Sequence, residues 1–75
     1  MSNETLTSGQ STDIDGTTLV KVSNNTATAG SVKVKCPNVD AVTYAVPANG
    51  SKNIQIPVGT SRFTNTGTPD LDLSW

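Results

Sequence analysis

Cys36 is the most obvious residue of this chain whose type could support chemistry. It is the only thiol, and a nucleophilic cysteine needs a base, which is usually a histidine. The chain contains no histidine. Cys36 also follows Val32 and Val34 in phase, on the same face of an extended segment. We therefore interpret it as a core cysteine rather than a nucleophile.

Two pairs of aspartates have spacings that occur in known sites. Asp13-Ile14-Asp15-Gly16 matches the start of a calcium loop but lacks the third ligand position and the distal glutamate, so it indicates a capped turn. Asp70 and Asp72 would lie on one face of a strand, where paired carboxylates can act as acid and base in glycoside cleavage. Their alternation with Leu71 and Leu73 instead indicates the solvent side of an amphipathic strand. We predict no catalytic residue, no metal site and no cofactor.

Alternation of apolar and polar residues with a period of two indicates that these residues lie on short strands. Val32-Lys33-Val34-Lys35-Cys36 is the clearest run, with apolar groups on one face and lysines on the other. Turn signals separate the runs, and Asn49-Gly50 is the strongest hairpin signal. No window has the apolar spacing of a helix. The sequence predicts an all-β fold: a small antiparallel β-sandwich or partly open barrel of about six to seven strands, with no helix.

The first sixteen residues differ in composition from the remainder. Residues 1–16 are rich in Ser, Thr, Asn and Asp, and Leu6 and Ile14 are their sizeable apolar groups besides Met1. We expect them to form a mobile polar arm or a weakly held first strand around residues 4–7, followed by a single β domain over residues 17–75. The predicted core consists of Val20, Val22, Val32, Val34, Cys36, Val42, Tyr44, Val46, Ile54, Ile56, Phe63, Leu71 and Leu73.

The small size of this core is the reason to expect a partner. The apolar fraction is 33%, one cysteine cannot form an internal disulfide, and no His/Cys cluster could hold zinc. Small domains without such cross-links commonly gain stability by oligomerising or by docking onto a larger assembly. We therefore expect a homo-oligomer or a docked protein.

Three residues are candidates for binding that partner. Leu6 and Ile14 could anchor the arm while it adds as a strand to the edge of a neighbour's sheet. Trp75 is in phase with Leu71 and Leu73, which favours packing on the core. A terminal tryptophan can instead be an exposed anchor at an interface.

Charge and hydropathy bear on which partners are expected. The formal net charge is −1 and the five Lys and Arg residues are dispersed along the chain, whereas a nucleic-acid-binding protein normally concentrates them in a basic stripe. No apolar run approaches the ~18 residues of a transmembrane helix, and the N-terminus lacks the basic and apolar regions of a signal peptide. We expect neither a nucleic-acid nor a membrane partner, and synthesis in the cytoplasm, where a free cysteine stays reduced.

Residues 19–61 resemble small β-sandwich proteins from the virions of tailed bacteriophages. The resemblance is carried by VKVSNNT (residues 20–26), SVKV (31–34), VPANGSKNIQIP (46–57) and VGTS (58–61). That family is structural and contains head decoration (cement) proteins, neck and tail components and fibre-attached domains. The resemblance implies a non-enzymatic virion protein, foremost a capsid decoration protein that binds and stabilises an assembled phage head. The alternatives are a neck or tail component and a small carbohydrate-binding or adhesion module.

Overall fold

The computed structural model describes residues 2–75, and their regular structure is entirely β. The strands are β1 (Asn3–Leu6), β2 (Ser11–Ile14), β3 (Leu19–Asn24), β4 (Gly30–Lys35), β5 (Val42–Val46), β6 (Gly50–Gln55), β7 (Ser61–Asn65) and β8 (Leu71–Ser74). The prediction of an all-β fold without helix is confirmed. The strand number is eight rather than six to seven, because residues 1–16 contribute two strands.

The eight strands form two antiparallel sheets. The first sheet has the order β1-β8-β3-β6 and the second has the order β2-β7-β4-β5. The pairings are nested along the chain: β4 with β5, β3 with β6, β2 with β7, and β1 with β8. This is the arrangement of a jelly roll, in which two Greek keys make two packed sheets. The sandwich alternative is therefore the correct one.

The core lies between the two sheets, where alternation turns one side of each strand inward. The buried apolar side chains, each at most 5% exposed, are Leu6, Ile14, Val20, Val22, Val32, Val34, Val46, Ile54, Ile56, Phe63, Leu71 and Leu73. Cys36, Tyr44 and Trp75 are partly buried and pack against this cluster. Val42 was predicted to be buried but is 49% exposed, because β5 is an edge strand and no neighbour covers it.

The structure corrects the expectation of a separate N-terminal arm. β1 pairs with β8 and β2 pairs with β7, each over four residues. Leu6 enters the core from the first sheet and is 2% exposed, and Ile14 enters it from the second sheet and is 1% exposed. The alternative of a first strand around residues 4–7 overlaps β1, whereas β2 was not expected, because its four residues carry a single apolar side chain. Met1, the other sizeable apolar residue of this segment, lies outside the described residues.

The Asn-Gly turn after β5 has a different role from the hairpin that the sequence predicts. Asn49 adopts a positive φ of 54°, and the Gly50 N–H donates to the Pro47 carbonyl oxygen at 3.1 Å, so a tight turn does form. The turn carries the chain from β5 in the second sheet to β6 in the first. β6 then pairs antiparallel with β3 over six residues.

Candidate binding surfaces

The residues considered for chemistry do not converge in space. Cys36 is a half-buried free cysteine packed on the core. Asp72 lies on the outer face of the first sheet, where its carboxylate accepts hydrogen bonds from Thr5 Oγ1 at 2.6 Å and from Asn25 Nδ2 at 2.9 Å. Within residues 2–75, no group of three or more His, Cys, Asp or Glu side chains is arranged to hold a metal ion. The two hydrogen bonds of Asp72 connect β8 with β1 and with the loop after β3, which is a structural role.

The three predicted partner-binding residues fall into two classes. Leu6 and Ile14 are buried in the core, so the structure leaves them no surface to offer a partner. Trp75 packs against the core, as its phase with β8 predicts, and is held by two backbone hydrogen bonds with Ser2 of 2.7 and 2.9 Å. Part of Trp75 also borders a shallow groove, whose other lining residues are Leu19, Lys21, Asn53 and Ser74. Only Trp75 therefore remains a candidate at the surface.

Three of the five basic residues share the outer face of the second sheet. Lys33 and Lys35 project from β4 and Arg62 projects from β7, which lie side by side at the centre of the sheet. The register places Lys35 opposite Arg62 and Lys33 opposite Thr64. We call Lys33, Lys35 and Arg62 the basic face. A shallow groove crosses it, lined by Ser11, Lys33, Lys35, Asp40, Ala41, Arg62 and Thr64.

Each cation of the basic face has a different set of partners. Arg62 Nε donates to Asp13 Oδ1 at 2.9 Å and Nη2 donates to Oδ2 at 3.4 Å. This hydrogen bond lowers the pKa of the Asp13 carboxyl and raises the pKa of the Arg62 guanidinium. Lys35 Nζ donates to the carbonyl oxygens of Cys36 and Val39. Within the described part of the chain, Lys33 makes no hydrogen bond or ion pair, so its charge is available to a partner.

The outer face of the first sheet has a different character. The outward side chains on its two central strands, β3 and β8, include one cation, Lys21, one anion, Asp72, and the exposed Leu19, and the other two are serines. The two faces therefore differ in charge although the whole chain is nearly neutral. Sequence reasoning missed this difference, because pairing of β4 with β7 brings together cations that are far apart in the chain.

Comparison with protein-family models, with curated proteins and with solved structures finds no match for this chain. The described residues also contain no helix that is long and apolar enough to cross a membrane.

Proposed function

We propose that this chain is a structural, non-enzymatic virion protein of a tailed bacteriophage, foremost a capsid decoration protein that binds and stabilises the assembled head. Its sequence resemblance to small virion β-sandwiches supports this proposal. The jelly-roll order of its strands is also used by viral capsid domains. Because one fold hosts many functions, a function has to be inferred from the chemistry of a surface rather than from the architecture.

The basic face is the observation that carries the proposal. It lies on two central strands, which the ladders on both sides hold rigid, and it offers the unpaired ammonium of Lys33 beside Lys35. Such a face fits a carboxylate-rich surface on an assembled particle, since complementary charges steer encounter and fix orientation. Attachment through it should weaken as salt rises, because exposed charges are screened over ~8–10 Å at physiological ionic strength.

A pair of charge-reversal variants tests the proposal. Lys33→Glu alters the basic face, and Lys21→Glu makes the same charge change at a central strand of the opposite face. The particles are purified from the phage whose genome encodes the chain, in a form that lacks this protein. Each protein variant is incubated with these particles, and the mixture is sedimented at low and at high salt. We expect wild-type protein and Lys21→Glu to sediment with the particles and to raise their resistance to heat. Lys33→Glu should lose most of this binding.

The same experiment can contradict the proposal. Equal losses in the two variants would show that the basic face has no special role. Absence of the protein from purified virions by mass spectrometry would exclude a virion component. Electron microscopy of decorated particles distinguishes head from neck or tail attachment by position and copy number.

A second candidate function is carbohydrate binding, and the groove beside Trp75 favours it. Leu19 and Trp75 supply apolar surface there, while Asn53, Ser74 and Lys21 supply hydrogen-bonding groups at its border. Jelly rolls also occur among lectin domains. Trp75 is the only tryptophan, so quenching of its fluorescence by a glycan would report binding directly. Glycan-array binding that Asn53→Ala abolishes, without sedimentation on particles, would favour this function over decoration.

A further inference from the structure

The four edge strands of the sandwich are not equally protected against pairing with another chain. The edges are β1 and β6 in the first sheet and β2 and β5 in the second. Glu4 in β1, Lys52 in β6 and Asp13 in β2 each place a charge on their strand, which is a common way to prevent edge-to-edge pairing. β5 has the sequence VTYAV, with no charge and no proline. It is therefore the unprotected edge.

The neighbouring ladder shows which backbone groups of β5 face outward. The Thr66 N–H donates to the Ser31 carbonyl oxygen at 3.2 Å, so odd-numbered residues of β4 bond β7 and even-numbered residues bond β5. In the register of β4 with β5, the even-numbered residues of β4 lie opposite the even-numbered residues of β5. The odd-numbered residues Thr43 and Ala45 therefore point their N–H and C=O groups away from β4, towards the open edge.

We propose that a second copy of this chain pairs antiparallel with β5 about a two-fold axis at Tyr44. In this register the N–H and the C=O of Thr43 form two hydrogen bonds with Ala45 of the second copy. The two-fold axis repeats them between Ala45 and Thr43 of the second copy, which adds two more hydrogen bonds. Tyr44 then faces its own counterpart as a non-hydrogen-bonded pair, in which side chains approach most closely. No charged residues of the two strands oppose each other, and the two-fold axis closes the assembly as a dimer.

The exposure of side chains on β5 is what a missing neighbouring strand would leave. Val42 faces the core side of the sheet but is 49% exposed, and Tyr44 is only partly buried. Pairing would place Val42 against Val46 of the second copy and would continue the buried row across the axis. Lys52 of β6 lies over the ring of Tyr44, and its Nζ is 5.9 Å from the ring centroid, which is within the range of a cation–π contact.

The dimer has a consequence for the outer face of the second sheet. Residues opposite each other in antiparallel strands project to the same side, so the two second sheets would merge with both basic faces on one surface. Two linked sites bind a repeating partner with greater avidity than one. The dimer itself depends only on β5, so it can be tested without any particle and independently of the proposed attachment.

A proline substitution tests the dimer because it removes an outward N–H. Thr43→Pro leaves the hydrogen bonds between β4 and β5 intact, since proline is tolerated at edge positions that face away from the ladder. Asn53→Pro is the matched control on β6: the Ile56 N–H donates to the Thr18 carbonyl at 2.9 Å, so Asn53 also points outward. Sedimentation equilibrium should give dimers for wild-type protein and Asn53→Pro, and monomers for Thr43→Pro.

Amide hydrogen exchange and a second variant test the register. The amides of Thr43 and Ala45 should be protected in the dimer and lose that protection on dilution, while the Asn53 amide exchanges freely throughout. Val42→Lys should give a folded monomer even if Thr43→Pro does not fold, because Val42 is half exposed. A chain that stays monomeric up to about 1 mM overturns the proposal. So does a dimer that both β5 variants leave intact, or protection of these amides that appears only when phage particles are added.

Discussion

Asn24 and Asn65 make equivalent hydrogen bonds at the ends of β3 and β7. Both are fully buried, and each Oδ1 accepts from the N–H two residues ahead at 3.0 Å. Each Nδ2 donates to the carbonyl four residues ahead, at 2.7 Å for Asn24 and 2.8 Å for Asn65. Each also reaches a distant strand, Asn24 at the Val46 carbonyl and Asn65 at the Leu6 carbonyl. Two turns and both sheets are therefore joined by a pair of buried amides.

Asn65→Ala should cause a large loss of stability. The change leaves the Leu6 and Pro69 carbonyls without this donor, and the cost of such unsatisfied buried groups is about 1–3 kcal/mol each. We expect the free energy of unfolding to fall by about 3 kcal/mol, measured by urea denaturation with Trp75 fluorescence. Asn53→Ala on the exposed part of β6 is the control and should change it by less than about 0.5 kcal/mol. Equal effects would show that the buried amide is not a structural link.

Leu6→Ala tests whether the first sixteen residues belong to the fold. Leu6 is 2% exposed, so its truncation should cost about 2–5 kcal/mol, whereas Leu19→Ala at a 49% exposed position should cost much less. Deleting residues 1–10, which the arm hypothesis would tolerate, should unfold the chain because it removes β1 and uncovers β8. Circular dichroism and thermal unfolding measure both. A folded deletion variant would restore the arm hypothesis.

The Asp13–Arg62 pair predicts a specific pH dependence. The hydrogen bond from Arg62 lowers the pKa of Asp13 in the folded state, so the pair stabilises the fold above the ordinary aspartate pKa. That contribution is lost as pH falls below about 4 and through the lowered pKa. The melting temperature of wild-type protein should exceed that of Asp13→Asn slightly at pH 7, and the two should converge once the pH has fallen below the lowered pKa of Asp13. Because both side chains are exposed, added salt should also reduce the difference. A pH-independent difference would contradict this account.

Ser61→Ala should leave stability unchanged or raise it. Within residues 2–75, Ser61 Oγ is the buried side-chain polar atom without a hydrogen-bond partner, opposite Ile14 in the ladder between β2 and β7. Burying an unpaired hydroxyl costs about 1–3 kcal/mol on mutational scales, and alanine removes that cost without adding volume. Urea denaturation should give an equal or higher midpoint. A clear loss of stability would mean that the hydroxyl has a bonding role.

Sequence patterns predicted the strands where alternation is long and regular. Val32 and Val34 in β4, and Leu71 and Leu73 in β8, are buried as their period of two requires. The same pattern failed at Val42, because burial at an edge depends on whether a neighbouring strand exists. β1 and β2 are too short to show any period, with one buried residue each in a four-residue strand.

Non-local pairing explains what sequence reasoning could not reach. The Asn-Gly signal correctly gave a turn, but the choice between a hairpin and a crossover depends on β3, which is distant in the chain. The basic face likewise depends on pairing of β4 with β7, and no local feature of Arg62 indicates that it lies beside Lys35. The polar residues Asn24 and Asn65 gave no sequence signal of burial, because each is also held by the carbonyl of a strand that is distant in the chain.

The nested order of the strands has a consequence for the folding rate. Only β4 and β5 are adjacent in sequence as well as in a sheet, and each further pair closes a longer segment of chain around them. β1, although made first, has β8 as its only neighbour in the sheet. Contacts of such high sequence separation bring a large entropic cost before they stabilise the chain, so folding should take milliseconds to seconds despite the small size. During that time β1 and its single core leucine have no partner strand.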